Sequence, residues 1–344
     1  MIQLKKEYQI NLTNRFPKLD FKIERVLFTT EQFVLHNNKI YVLAVSKEDV
    51  TKIKIVEIAK DEISIHFVHD IIKTKEEFPD GVLRNLKMIS HSDSLLIFVS
   101  ENINDEDVPK EIIYFKDFEI NNPKIIQYEN IIEPKEDKFG KMHATFNTIG
   151  QSDCAIFPII LNGYRGFKIG FQIALLEIDF NSLTAKWKTE KQKELIKYKK
   201  KEYVFNAIQY KNGKIQYFTI GNSYRYKRYG MDGKIHLGEI ENSLRKPKFL
   251  VLYKCEYDKK SPKLFGRTAL FTTNQHYAII KPYFVKHDPW GKQEKLFDID
   301  KNELVDVILP RGFGKHSIIN GNDTYFLTLG KNSKKENLLT VFRV

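Results

Sequence analysis

Residues 222–233, NSYRYKRYGMDG, hold the densest group of aromatic and cationic side chains in this sequence. Three tyrosines and three cations fill six consecutive positions: Tyr224, Arg225, Tyr226, Lys227, Arg228 and Tyr229. Tyrosine and arginine are enriched at the energetic centres of protein interfaces, and the same two chemistries stack bases and hold phosphates. The segment therefore predicts a surface for an anionic partner. The alternative is a solvated strand with tyrosines on one face and charges on the other.

Two other segments repeat this chemistry in milder form. NGYRGFKIGFQ (162–172) contributes Tyr164 and Arg165, and KHDPWGKQ (286–293) contributes Trp290. An exposed tryptophan in a turn is a binding candidate because large apolar rings are costly to leave in water. These three residues therefore join the predicted partner-binding set.

The charge balance favours the same class of partner. The 344 residues include 56 Lys and Arg against 44 Asp and Glu, a net charge of +12. Such a chain attracts nucleic acid, an acidic protein, a membrane surface or a small anion, although lysine-rich chains are also often merely soluble.

Other chemistry is not indicated. The nine histidines and two cysteines show no ligand spacing, so no metal site, cofactor or disulfide is expected, and Cys154 and Cys255 are interpreted as free thiols. No catalytic motif stands in a suitable context, so no catalytic residue is assigned. Nowhere do 18 apolar residues run together and no secretory signal begins the sequence, which predicts a cytoplasmic protein without membrane insertion.

The elements that must position these residues repeat along the chain. A polar turn followed by a β-rich run recurs every 47 to 63 residues, and a second hairpin signal follows within most units. The copies are HNNKIYVL (36–43), HSDSLLIF (91–98), GQSDCAIF (150–157), YKNGKIQYF (210–218), TNQHYAII (273–280) and NGNDTYFL (320–327). Four antiparallel strands per repeat, with almost no helical periodicity, predict an all-β fold.

This pattern resembles a six-bladed β-propeller of four-stranded antiparallel blades in a single domain, 1–344. The resemblance is to an architecture, because the signatures of WD repeats, kelch blades and sialidases are missing. The expected blades are 30–75, 84–133, 143–190, 203–265, 267–310 and 315–344 plus 6–28. YQINL or FKIERVLF near the amino terminus is expected to complete the last blade and close the ring. Residues 237–244 and 252–264 both resemble the last turn of blade four, so seven blades or a two-domain β protein stay open.

In such a blade the connections from the second strand to the third lie on the same face as the crossovers between blades. The segments 162–172, 222–233 and 286–293 all occupy the first of these positions. Three crossovers, DKFGKMH (137–143), KLFGRT (263–268) and RGFGKH (311–316), each place a cation after Phe-Gly. Lys141, Arg267 and Lys315 are therefore expected at a channel-mouth anion site, unless Phe and Gly serve only packing and bending.

The leading hypothesis is a non-catalytic binding propeller that engages an acidic protein. The analogy with bacterial scaffolds extends this hypothesis to a toxin-neutralising or defence-associated role. The second hypothesis is nucleic-acid binding by the same face. The third is a hydrolase acting on an anionic glycan or ester at the channel mouth.

Overall fold

The structure is a computed structural model of the 344-residue chain. The residues it describes are 2–20, 32–49, 52–60, 62–70, 84–103, 106–130, 145–149, 151–165, 168–187, 202–221, 234–241, 248–254, 267–272, 277–283, 295–298, 301, 303–308, 316–321 and 324–343. They form β-sheet almost throughout, with a short helix α1 (Leu12–Arg15) and a 3-10 turn at Lys116–Phe118, so the predicted all-β class is confirmed.

The strands are numbered in chain order. They are β1 (Ile2–Gln3), β2 (Lys5–Asn11), β3 (Leu19–Asp20), β4 (Phe33–His36), β5 (Lys39–Ser46), β6 (Lys52–Ile58), β7 (Ile63–Asp70), β8 (Arg84–His91), β9 (Ser94–Ile103), β10 (Glu106–Phe115), β11 (Lys124–Tyr128), β12 (Thr145–Ile149), β13 (Gln151–Ser152), β14 (Ile156–Arg165), β15 (Lys168–Asp179), β16 (Thr184–Trp187), β17 (Glu202–Lys211), β18 (Lys214–Gly221), β19 (Lys234–Glu241), β20 (Lys248–Lys254), β21 (Arg267–Thr272), β22 (Tyr277–Tyr283), β23 (Lys295–Asp298), β24 (Glu303–Ile308), β25 (His316–Gly321), β26 (Tyr325–Lys331) and β27 (Asn337–Arg343).

Contacts divide the chain into two compact units, residues 1–73 with 255–344 and residues 74–254. The expected single domain and its blade boundaries stay predictions. Among the described residues, no helix is long and apolar enough to cross a membrane.

The first unit carries three sheets. One has the order β3-β5-β6-β7, and β4 pairs with β5 beside β3. The second runs β21 to β24 as an antiparallel meander, and β1 adds parallel to β24. The third has the order β2-β27-β26-β25, with Ile10 opposite Leu339. YQINL thus pairs with the last strand of the chain, as the sequence predicts.

The second unit contains an eight-stranded and a five-stranded sheet. The first joins two antiparallel groups, β8 to β11 and β12, β14, β15, β16, through a parallel pairing of β11 with β16. The second runs β17 to β20, and β13 adds parallel to β17. β19 and β20 pair antiparallel, so residues 242–247 connect the last two strands of this group.

The short turns follow from backbone conformations that few residues adopt. Asn37 and Asn38 have φ of 46° and 63°, and Asn212 and Gly213 have φ of 51° and 71°. Positive φ at both central residues is the hairpin turn whose twist matches the strands it joins, and Asn and Gly tolerate it best. These residue types therefore allow the tight turns, and the apolar runs on either side of each turn pair with each other as antiparallel strands.

Each unit has its own apolar core, which lies between two sheets in the first unit and between the two strand groups of the eight-stranded sheet in the second. In the first, Val42 and Val56 of the β5–β6 sheet pack with Leu327 and Leu339 of the β26–β27 sheet. In the second, residues of the β9–β10 group pack with Phe157, Leu176 and Trp187 of the β14–β16 group. Strands such as 40–44, IYVLA, are buried on both faces, which is why they read as continuous apolar runs instead of alternating.

Candidate binding surface

Each four-stranded group has one end at which its second strand passes to its third, here named the variable end. In the second unit, two parallel pairings fix how these ends are arranged. β11 and β16 are the last strands of their groups and both run toward the variable end, with Gln127 opposite Thr184. β13 lies in the connection between β12 and β14, the first two strands of its group. It pairs parallel with β17, which leads into the corresponding turn of the next group at Asn212. The three variable ends of the second unit therefore lie on one side of it.

At one of these ends the structure differs from the sequence interpretation. Residues 162–172 were expected to connect two strands as a loop, but they form the end of a long hairpin, and residues 100–111 form the end of another. β9 and β10 pair as far as Ile103 opposite Glu106, and β14 and β15 as far as Arg165 opposite Lys168. Asn and Gly are depleted in strands, which is why the segment NGYRGFKIGFQ predicts a loop. Gly163 and Gly170 instead lie directly opposite each other within the ladder.

The two hairpins differ in charge. The β9–β10 hairpin places Glu101, Glu106 and Asp107 beyond a register shift between Pro109 and Glu111, and proline is tolerated next to such an irregularity. The β14–β15 hairpin ends with Tyr164 opposite Ile169 and Arg165 opposite Lys168. An acidic and a basic hairpin tip thus lie on the same side of one sheet, and two of the predicted partner-binding residues lie at the basic tip.

The third variable end leads to the segment that opened the sequence analysis. Ile220 of β18 and Ile235 of β19 are opposite each other, so residues 222–233 connect two paired strands. Tyr224, Arg225, Tyr226, Lys227, Arg228 and Tyr229 themselves lie outside the described residues. Their position in the repeat, from second strand to third, agrees with the sequence interpretation.

The remaining predicted residues are divided between the units. Arg267 is the first residue of β21 and lies opposite Tyr283, the last residue of β22. Trp290 follows β22, Lys315 directly precedes β25, and Lys141 precedes β12; these three lie outside the described residues. Lys141 belongs to the second unit, and Arg267 and Lys315 to the first. The channel-mouth anion site and the role of Trp290 therefore stay predictions.

One variable loop of the first unit is described with its side chains. Asn332 accepts hydrogen bonds from the backbone of Lys334 (3.0 Å) and Glu336 (2.9 Å), and its amide donates to the Glu336 carboxylate (2.6 Å). Asn11 donates to the same carboxylate at 2.9 Å. Hydrogen bonds from Asn332, Asn11 and Asn14 lower the pKa of Glu336. This loop is thus organised around an acidic residue and tied to the amino-terminal segment.

At the opposite end of the second unit lies a buried cluster that the sequence did not reveal. His91 is only 8% exposed, stacks on Phe180 with ring centroids 5.6 Å apart, and meets Phe157 edge-on at 5.0 Å. Burial lowers its pKa, while a hydrogen bond to the Ser152 backbone and the charge of Asp153 oppose that shift. These neighbours come from distant parts of the chain, so no local signal marks the histidine.

The same cluster joins two sheets. Asp153 Oδ2 accepts a hydrogen bond from the backbone of Asn212 (2.9 Å), beside the parallel pairing of β13 with β17. The nearby Cys154 is an exposed free thiol, as predicted, and the Ser152 hydroxyl donates to its backbone carbonyl. Cys255 lies outside the described residues. Within the part of the chain that the structure describes, no group of three His, Cys, Asp or Glu could hold a metal ion.

Comparison with known proteins supports the fold and goes no further. No protein-family model matches the chain, and no curated protein matches its sequence. Among solved structures it is similar to the phage phi92 endosialidase, with a TM-score of 0.50 and 8% identity over 92% of this chain and 68% of that one. It is also similar to the GH93 α-L-arabinofuranosidase of Fusarium graminearum (TM-score 0.48, 7% identity, 92% and 94% covered) and to Zg3597, a family 117 glycoside hydrolase of Zobellia galactanivorans (0.40, 9%, 99% and 89%).

The fold is of the β-propeller type. An identity of 8% carries information about architecture alone, because the same fold serves unrelated activities. The function must therefore be argued from the residues.

Proposed function

We propose that this chain is a six-bladed β-propeller that acts as a non-catalytic binding module, and that its cationic variable ends engage an acidic protein. The proposal rests on the observation that the three variable ends of the second unit lie on the same side of that unit. This arrangement follows from the parallel pairings of β11 with β16 and of β13 with β17. Two of these ends bear the cationic aromatic segments 162–172 and 222–233.

A hairpin is a suitable support for such a contact. The ten residue pairs between β14 and β15 hold Tyr164 and Arg165 at defined positions before binding. A backbone that is already ordered loses less conformational entropy on association than an unpaired loop. The acidic β9–β10 hairpin beside it would select partners by charge, repelling those with acidic groups in the wrong place.

The glycan-hydrolase hypothesis is consistent with the similarity to the endosialidase and the arabinofuranosidase. At identities of 8% and 7%, however, this similarity does not identify a catalytic residue. This hypothesis needs carboxylates beside Lys141, Arg267 and Lys315, of which the structure describes only Arg267. The protein-binding proposal needs only groups on one side of one unit.

Charge reversal tests the proposal. The variant R225E/R228E should lose capture of the partner from the native host, with Kd raised roughly 30-fold for each of the two residues that is a hot spot of about 2 kcal/mol. The matched control is K116E/K124E, which makes the same change in charge at two exposed lysines flanking the turn between β10 and β11. Thermal midpoints of both variants should stay close to that of the parent protein.

The identity of the captured material separates the alternatives. A protein that resists nuclease treatment and binds the control variant supports the proposal. Nuclease-sensitive capture with a steep loss of affinity in salt would instead favour the nucleic-acid hypothesis, since counterion release drives that association. Capture that survives R225E/R228E, or that K116E/K124E abolishes equally, would refute the assigned surface.

A further inference from the structure

His91 lies where strand groups of the second unit meet. It is the last residue of β8, and its ring stacks on Phe180, which directly follows β15, with ring centroids 5.6 Å apart. Phe157 of β14 contacts the same ring edge-on at 5.0 Å, and Tyr114 of β10 contacts Phe180 at 5.0 Å. The buried imidazole is therefore enclosed by side chains of two neighbouring groups.

The hydrogen bond of His91 leads to a third group. The bond to the Ser152 backbone favours the protonated imidazole and so raises its pKa, which identifies His91 as the donor. Ser152 belongs to β13 and lies opposite Tyr210 of β17. The next residue, Asp153, accepts the backbone N–H of Asn212 at 2.9 Å. The imidazole thus supports the segment that ties β17 and its turn to the eight-stranded sheet.

A neutral imidazole suits this environment better than a charged one. Within the part of the chain that the structure describes, the buried Nδ1 of His91 has no hydrogen-bond partner. Protonation would make this nitrogen a second N–H donor without an acceptor and would place a charge between two phenylalanine rings. Both changes are costly in a buried site, and stacking of the cation on Phe180 offsets only part of the cost.

The charged groups around the ring do not remove this cost. The titratable residues on the described elements that surround His91 are Lys87, Asp93, Tyr114, Asp153, Cys154 and Asp179. The carboxylate of Asp179 accepts from the backbone of Asn181 (2.8 Å) and Ser182 (3.3 Å). The charge that acts on His91 is that of Asp153, and burial outweighs it because the pKa of His91 is lowered overall.

We propose that His91 is a pH-sensitive switch in the second unit: the neutral ring holds β13 against β17, and protonation of the ring releases that contact. As the pH falls below about 6.5, the open form, in which the imidazole reaches water, binds protons that the closed form rejects. Because β18 and β19 of the released sheet carry residues 222–233, the switch would alter how that segment is presented. This last consequence rests on the proposed function.

Amide hydrogen exchange followed by NMR tests the switch without a partner, so its result is independent of the proposed function. After correction for the intrinsic effect of pH on exchange, opening at the Asn212 amide should increase roughly fivefold or more from about pH 7 to about pH 5. The internal controls are the amides of Glu129 and Trp187. They donate to the Ala185 carbonyl at 2.8 Å and to the Asn130 side chain at 2.9 Å, beside the other parallel pairing of the unit, and their opening should stay nearly constant.

Replacement of the ring separates protonation from packing. H91F keeps an aromatic side chain but cannot bind a proton, so the opening of its Asn212 amide should not depend on pH. The matched control H66F makes the same change at a histidine of the first unit and should respond as the parent chain does. The comparison between the two sets of amides in the parent chain requires no variant to fold. A parent chain without the response at Asn212, an equal response at Glu129 and Trp187, or a response retained in H91F would overturn the proposal.

Discussion

The packing of Phe157 allows a quantitative prediction about the core of the second unit. This side chain is fully buried on β14 and meets two other rings edge-on, Phe98 at 6.2 Å and His91 at 5.0 Å. The substitution F157L keeps an apolar side chain but removes both ring contacts. Each edge-to-face pair is worth about 0.5–1.5 kcal/mol beyond its buried area, so the variant should lose about 1–3 kcal/mol of unfolding free energy.

A double-mutant cycle isolates the contact with Phe98. F98L and F157L should couple by about 0.5–1.5 kcal/mol, because either change alone already removes the ring pair. The control partner is Phe115, which is fully buried but belongs by strand alternation to the opposite face of β10 from Ile112 and Tyr114. F115L and F157L should be additive to within about 0.3–0.5 kcal/mol.

The assay is urea unfolding followed by tryptophan fluorescence. The chain has two tryptophans, and Trp187 is 1% exposed within the same apolar cluster as Phe157. In a W290F background, Trp187 alone reports the loss of this packing. Coupling to F98L that is no larger than coupling to F115L would refute the reasoning that the ring contacts carry this stabilisation.

Two further predictions concern single residues of the same unit. Because burial lowers the pKa of His91 from 6.5, the unfolded chain binds a proton more readily, and stability should fall as the pH drops below about 6.5. H91N should lessen that loss in thermal melts recorded from about pH 7 to about pH 5, and an unchanged pH profile would contradict the assignment. Gly213 has φ of 71°, and a Cβ added there would meet only open space. G213A should therefore lower the free energy of unfolding by about 1 kcal/mol through backbone strain alone. Urea unfolding that shows no such loss would contradict this prediction.

The parts of the fold that depend on local chemistry were predictable from the sequence. Asn37 and Asn38, like Asn212 and Gly213, mark hairpin turns because few other residues adopt positive φ. The pairing of YQINL with the last strand was also predictable, because a three-stranded final repeat leaves an edge that an amino-terminal strand can cover.

Features that depend on contacts distant in sequence were not predictable. The segment at 150–153 was interpreted as a simple turn, yet it contains β13, whose parallel pairing with β17 depends on residues nearly sixty positions later. The hairpin at 162–172 was missed because its glycines suppress strand propensity while its ladder restores the strand. His91 was missed because its ring contacts, Phe157 and Phe180, belong to other elements.

The pairing of β2 with β27 also determines how the chain would respond to force. Lys5 lies opposite Arg343, so the outward-leading ends of both strands are at the same end of the ladder. Once β1 has separated from β24, tension applied through these two ends would load the hydrogen bonds of this ladder one after another, as in opening a zipper, instead of shearing them together. From that point the sheet should open at low pulling forces, from β2 inward.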